Sequence, residues 1–549
     1  MDMKRILPVL ISILSIAVNA QETPRTGFSS PFDFSLFLSG NFGEIRANHF
    51  HGGIDIKTQG VSGKHLKSLA DGYISRIQIT HGSGYVLHVT YNNGFTTINR
   101  HLSGFVGKVA QRAKREQFEK ESWQVDIIPE PNEYPVKKGD LIAYAGNTGY
   151  SFGPHLHLDV IENETGDYID PLPFFKNKIR DTTAPKAQGY MIFPQRGKGV
   201  VEGSQKAQQF TINTKPIVAW GTIGAAIRAF DYMDGTSNNY GVHTVTLEVD
   251  NQLIFKSIVD RFSGNENRMI NSWTYNRYMK SFIEPGNTLR MLTTHNDERG
   301  LITIDEERDY NFVYTLTDLY GNSSKYRFTV VGKKQKIDPI AVRDKYHMKW
   351  NRFNYLQEPG FDLFLPKGVL YDDAYLDMKI TPSSDFASHV YRLTTENIPL
   401  HTWATLRIGL RSDVANDTTK YYVAGINSKG KTYPIGGSYN NGYMDAKVRE
   451  IGTFTVAVDT IPPIVNVLNK AGWSKGSIRF KVKDEESGIN TYKGTIDGQF
   501  VPFGLQIMSN EVIYSLDPTL IKKGQQHEVE FYVVDNCNNK TIIKETFYW

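Results

Sequence analysis

Cysteine is all but missing. The 549 residues hold one, Cys537, so no disulfide can form within the chain. That excludes a small stapled scaffold and leaves packed cores, with or without metal, to hold the fold. Cys537 lies in the polar stretch Asp535-Asn536-Cys537-Asn538-Asn539 and reads as a turn residue rather than a nucleophile. Charge of one sign is lacking too. Against 62 Lys+Arg stand 58 Asp+Glu, and the formal net charge of +4 is too small to make nucleic acid the partner. After residue 20 no apolar run approaches the roughly 20 residues that span a bilayer, so no transmembrane segment is expected in the mature chain.

The N-terminus reads as an export signal. Lys4 and Arg5 precede an apolar run at 6–18, and Val18 and Ala20 put small residues before Gln21. Cleavage after residue 20 is expected. The run is too short for an uncleaved anchor, and no cysteine follows the cleavage site to carry lipid. The mature protein is expected outside the cytoplasm, in the periplasm or cell envelope.

Histidine is abundant in one region: of 14 histidines, those at 49, 51, 65, 81, 88, 101, 155 and 157 fall in the first third of the chain. In an extended strand residues two or four apart share a face, so His51 with Asp55, and His155 with His157, can converge. Two imidazoles and a carboxylate drawn from these pairs form an open zinc site of the hydrolytic kind, with a coordination position left for water. His65, His81 and His88 read as structural.

Residues 21 to about 175 show period-two runs at 70–77, 84–91 and 95–102, separated by turns such as Asn92-Asn93-Gly94, which predicts an antiparallel sheet. After Ser103, Phe105, Val109 and Ala113 recur at helical spacing among charged residues. This insertion reads either as a wall beside the site or as a cover over a sheet edge.

The ordered series His51-Gly52-Gly53-Ile54-Asp55, Ala70-Asp71-Gly72, Gly84-Tyr85, Arg100-His101-Leu102-Ser103, Val136-Lys137-Lys138-Gly139-Asp140, Gly146-Asn147-Thr148-Gly149 and Gly153-Pro154-His155-Leu156-His157, closed by Asp170-Pro171-Leu172, resembles the lysostaphin and LytM-type zinc endopeptidases over residues 40 to 175. The resemblance implies a duplicated hybrid motif fold of antiparallel sheet that cuts peptide bonds of bacterial peptidoglycan. It implies Zn2+ on His51, Asp55 and His157, with His101 and His155 as the catalytic histidines that do not bind metal. Asp159 shares a face with His155 and His157 and is expected to orient an imidazole; it stands where the family more often has glutamate. His49 is a supporting partner of the site or an alternative ligand. Asn99 replaces a tyrosine common in the family and Phe152 a small residue; with Tyr150 they are expected to line the substrate groove.

Past a linker at 176–183 the chain reads as all-β. Asp181-Thr182-Thr183-Ala184-Pro185 is echoed by Asp459-Thr460-Ile461-Pro462-Pro463, and the stretch at 314–322 by that at 532–539. Immunoglobulin-like sandwiches are expected at 184–335 and 459–549, with a further β-rich module at 336–458, giving two or three β-sandwich modules after the peptidase domain at 21–178. The acidic stretches at 231–241 and 484–489 read as turns rather than calcium sites. Two functions follow. One is an exported zinc peptidase acting on peptidoglycan peptides, with an envelope partner on the β modules. The other is a non-catalytic relative that binds wall or activates another hydrolase. Retention of all five side chains, His51, Asp55, His101, His155 and His157, favours the first.

Overall fold

The protein is described by a computed structural model over residues 27–340, 344–411 and 417–549; the expected export signal lies outside the described residues. The chain is all-β, as expected.

The first unit is built on an antiparallel sheet. Its strands are β1 (Leu38–Gly40), β2 (Gly53–Lys57), β3 (Gly72–Thr80), β4 (Gly84–Tyr91), β5 (Phe95–Leu102), β6 (Val125–Ile127) and β7 (His155–Glu162), in the spatial order β1-β2-β7-β5-β4-β3-β6. Alternation sorts the two faces. Ile54, Ile56, Leu156 and Leu158 are fully buried, while Asp55, His155 and His157 point the other way. The register places His157 opposite Asp55 on β2 and opposite Arg100 on β5. Two sequence motifs a hundred residues apart are thereby laid side by side at the centre of the sheet.

The insertion after Ser103 forms helix α1 (Gly107–Glu119), which buries Val109 and Ala113. Its far side meets the end of the chain: Lys114 pairs with Asp517, Glu121 with Lys493, and Phe118 packs on Phe500. The insertion thus covers a sheet edge, its strand β6 pairing with β3, and it also docks the C-terminal module, a role neither expectation named.

The next unit is one continuous sheet with two long strands, Lys186–Val201 and Ile217–Phe230, whose antiparallel register breaks between Pro194 and Gly199. Ile217–Phe230 also runs parallel to Ser323–Gly332. The core of this sheet takes in two side chains of the first unit, Phe42 and Phe50, which lie on Phe262. The middle region has two five-stranded sheets around one core, with Leu363 and Leu406 from one and Val423 and Val456 from the other. The last unit has two four-stranded sheets closing on Phe480, Val512, Val529 and Phe531. Cys537 is fully buried beside Tyr422 and Ala424 of the middle region, where burial pushes its thiol up to about 11. Among the described residues no helix is long and apolar enough to cross a membrane.

Candidate active site

His51, Asp55 and His157 meet at one point. His51 Nε2 is 3.1 Å from Asp55 Oδ1 and 3.0 Å from His157 Nδ1, and His157 Nδ1 is 2.9 Å from the same carboxylate oxygen. Ligand atoms about 2.0–2.1 Å from a tetrahedral zinc stand roughly 3.3 Å apart, so the trio is nearly at ligand spacing.

The outer hydrogen bonds fix which atoms face that point. His51 Nδ1 lies 2.6 Å from the Asn41 carbonyl and donates to it, which leaves Nε2 as the lone pair. His157 Nε2 lies 2.6 Å from Asp159 Oδ1, which turns Nδ1 inward. Arg100 Nε holds the other Asp159 oxygen at 2.8 Å, and Asp159 is 1% exposed. Arg46 lies 3.6 Å from Asp55 Oδ2 and leaves Oδ1 to the centre. Two lone pairs and an anionic oxygen this close repel unless a proton or a cation lies between them. Burial opposes a charged His157 ring, but the carboxylates of Asp159 and Asp55 outweigh it and push it up to about 9. Burial likewise opposes the Asp55 anion, and the His51 and His157 rings outweigh that and hold it well below the usual carboxylate range. A site that draws positive charge to three inward lone-pair donors, with each imidazole anchored from behind, fits zinc.

His101 and His155 flank the trio. His155 Nδ1 donates to the Gly153 carbonyl at 2.8 Å and also meets Ser151 Oγ at 3.2 Å, and its Nε2 is 3.5 Å from Asp55 Oδ1. His101 Nδ1 donates to the Thr148 carbonyl at 2.8 Å, and its ring centroid is 4.9 Å from that of His155. Burial lowers both rings; His101 is pushed down to about 4, with the imidazoles of His155 and His157 adding to the effect. Both are neutral at pH 7, each with a free Nε2 lone pair.

Strand alternation alone would turn His101 into the core. Its neighbour Arg100 faces the site beside His157, so residue 101 belongs to the opposite face. A left-handed backbone, φ +60°, breaks the alternation and returns the ring to the site. Asn99 shows the consequence. Two residues before His101, it faces the core opposite Leu158, 1% exposed, and donates its amide to the Leu87 carbonyl at 3.1 Å. It does not line an open groove. Tyr150 and Phe152 do stand in solvent, 57% and 83% exposed, packed edge to face beside the His155 loop. His49 is exposed and bonds the Ala47 carbonyl of its own hairpin rather than a cluster imidazole. Arg100, Asn41, Ser151 and Thr148 carry supporting roles that sequence reading missed. Arg100 and Thr148 had a signal, their places in the Arg-His-Leu-Ser and Gly-Asn-Thr-Gly motifs; Asn41 and Ser151 act through a carbonyl and a turn set by the fold.

A Zu5-like domain family matches residues 345–459, the middle region. The glycyl-glycine endopeptidase ALE-1 of Staphylococcus capitis is 27% identical over 28% of this chain and 36% of its own length. The DD-carboxypeptidase/endopeptidase Mpg of Neisseria meningitidis is 26% identical over 31% of this chain and 32% of its own. The chain thus spans about a third of the length of these curated relatives. The catalytic domain of lysostaphin from Staphylococcus simulans is 23% identical over 26% of this chain and 92% of its own, with a TM-score of 0.19. Over 28–31% of its length the chain is thus similar to curated endopeptidases.

Proposed function

We propose that the protein is an exported zinc metalloendopeptidase that hydrolyses peptide cross-links of bacterial peptidoglycan. The observation that carries this is the convergence of His51 Nε2, Asp55 Oδ1 and His157 Nδ1 with both imidazoles anchored from behind. Zinc held by these three residues supplies Lewis acidity to the scissile carbonyl and to the attacking water. The chain does the rest. His101 and His155, neutral and with Nδ1 tied to carbonyls, aim their Nε2 atoms at the reacting centre. One accepts the proton of the attacking water and returns it to the leaving amine, and the other, neutral with its proton on Nδ1, accepts through Nε2 to orient the water. Tyr150 and Phe152 offer apolar surface to the substrate on the exposed side.

The names of the curated relatives, a glycyl-glycine endopeptidase and a DD-carboxypeptidase/endopeptidase, support peptide cross-links as the substrate class. The decisive experiment is a zymogram of the mature protein on purified sacculi, with and without chelator, followed by mass spectrometry of the released muropeptides. Chelator-sensitive lysis with a new amino terminus in the cross-link is expected; intact sacculi would favour a non-catalytic wall-binding regulator.

A further inference from the structure

The stretches that read as a repeat, around Asp181 and Asp459, each deliver three carboxylates to one place. Asp181, Asp231 and Asp318 form one cluster and Asp459, Asp484 and Asp535 the other, with ligand atoms in each within 4.8 Å of one another. The two are satisfied differently. In the last unit, Asp459 Oδ2 accepts from the Ser487 amide and hydroxyl, and Asp484 Oδ2 from the Gly488 amide. Asp535 accepts from the Cys537 and Asn539 amides and the Asn539 side chain. These donors satisfy the carboxylate oxygens from within, although burial and the carboxylates of Asp459 and Asp535 still raise Asp484.

In the earlier unit the donors run out. Asp181, Asp231 and Asp318 are 6%, 3% and 4% exposed, so Asp231 is not the exposed turn residue expected from its stretch of sequence. Asn322 serves both oxygens of Asp318, and the Thr183 amide serves Asp181 Oδ1. Asp181 Oδ2 and Asp231 Oδ1 are buried with no donor. Arg180, the nearest cation in sequence, pairs with Asp234 instead, and among the described residues no lysine or arginine forms an ion pair with the three. Beside them lies a cavity of about 10 Å³, lined by Asn41, Asp170, Asp181, Asp231, His243 and Tyr320, among others. That is room for about one water-sized particle. Burial and the neighbouring carboxylates push Asp181 up to about 7 and Asp231 up to about 8, a sign that positive charge is missing.

We propose that Asp181, Asp231 and Asp318 bind one calcium ion at the junction between the first unit and the sheet that follows it. An all-oxygen donor set suits a hard cation rather than zinc, and carboxylate oxygens without donors are what such an ion completes. The placement gives it a structural task. Asp231 and Tyr240 bond each other through their backbones at 2.9 Å. The next residue, Gly241, exchanges two hydrogen bonds with the Asn41 side chain at 2.9 and 2.8 Å. Asn41 carries the carbonyl that orients His51. The ion therefore closes the seam against which the metal-binding hairpin rests, and it does so whether or not the chain is a hydrolase.

The test uses the full mature chain, loaded with zinc and stripped of calcium, titrated with calcium chloride by calorimetry and by thermal unfolding, with magnesium chloride in a parallel arm. One calcium per chain is expected, with a rise in unfolding midpoint of at least about 4 °C at saturation. Asp231→Asn, judged folded by far-UV circular dichroism, should lose the uptake and the rise; Asp484→Asn should keep both. No calcium uptake by the unsubstituted protein up to about 10 mM would overturn the proposal and leave protons to neutralise the trio. So would an unchanged response in Asp231→Asn, or loss of response only in Asp484→Asn.

Discussion

His157 is gripped from both sides, by Asp55 at Nδ1 and by Asp159 at Nε2, and Asp159 in turn by Arg100. The roles separate in experiment. His51→Ala should abolish zinc uptake, read by metal analysis of the purified protein. His155→Ala should retain zinc and lose about 10²–10⁴-fold in lysis rate, since it removes proton transfer and not a ligand. Asp159→Asn keeps the shape but removes the charge behind His157, and zinc affinity measured by chelator competition should fall about 10–100-fold. His88 serves the fold. Burial, then the Arg100 and Arg76 charges, push its ring down to about 4. The folded ring stays neutral while the unfolded ring takes a proton below about 6.5, so stability falls as pH drops from about 6.5 to about 4. His88→Gln should flatten part of that decline in unfolding midpoints measured across the range, the other buried histidines supplying the remainder.

Among the elements, β2 and β7 make the site by lying close. Gly53 on β2 has no room for a side chain, because a Cβ there would stand 2.1 Å from the Leu158 carbonyl oxygen of β7. Gly53→Ala must push the strands apart. It should cost about 3 kcal/mol or more in denaturant unfolding and weaken zinc binding in the fraction that folds, because Asp55 and His157 ride on the two strands. That the His51–Asp55 and His155–His157 pairs can converge was legible in sequence, since strand alternation puts each pair on one face; the pairing of β2 with β7 was not read there. Nor was the position of Asn99. A strand read at period two puts residues 99 and 101 on one face, and only the left-handed turn of the backbone at His101 separates them.

The whole molecule holds the site in place through surfaces shared between units. Phe50, one residue before His51, is 1% exposed because it is packed on Phe262 and Trp273 in the core of the following unit. Its amide also bonds Asn267 Oδ1 at 2.6 Å. Phe50→Ala should therefore destabilise the protein by about 3–5 kcal/mol and loosen zinc binding as well, measured by denaturant unfolding and metal competition on one preparation. The C-terminal module grips the opposite end of the first unit through Lys114 and Glu121.

By itself the sequence determined the β class and the strand alternation, because these depend on residue type and short-range spacing. Only the tertiary structure decided which face His101 takes, that Asn99 is buried, that the α1 insertion is a dock, and that three aspartates from 181 to 318 share one buried place. Those outcomes depend on backbone angles and on which distant groups arrive as donors, and neither is written in the spacing of residues along the chain.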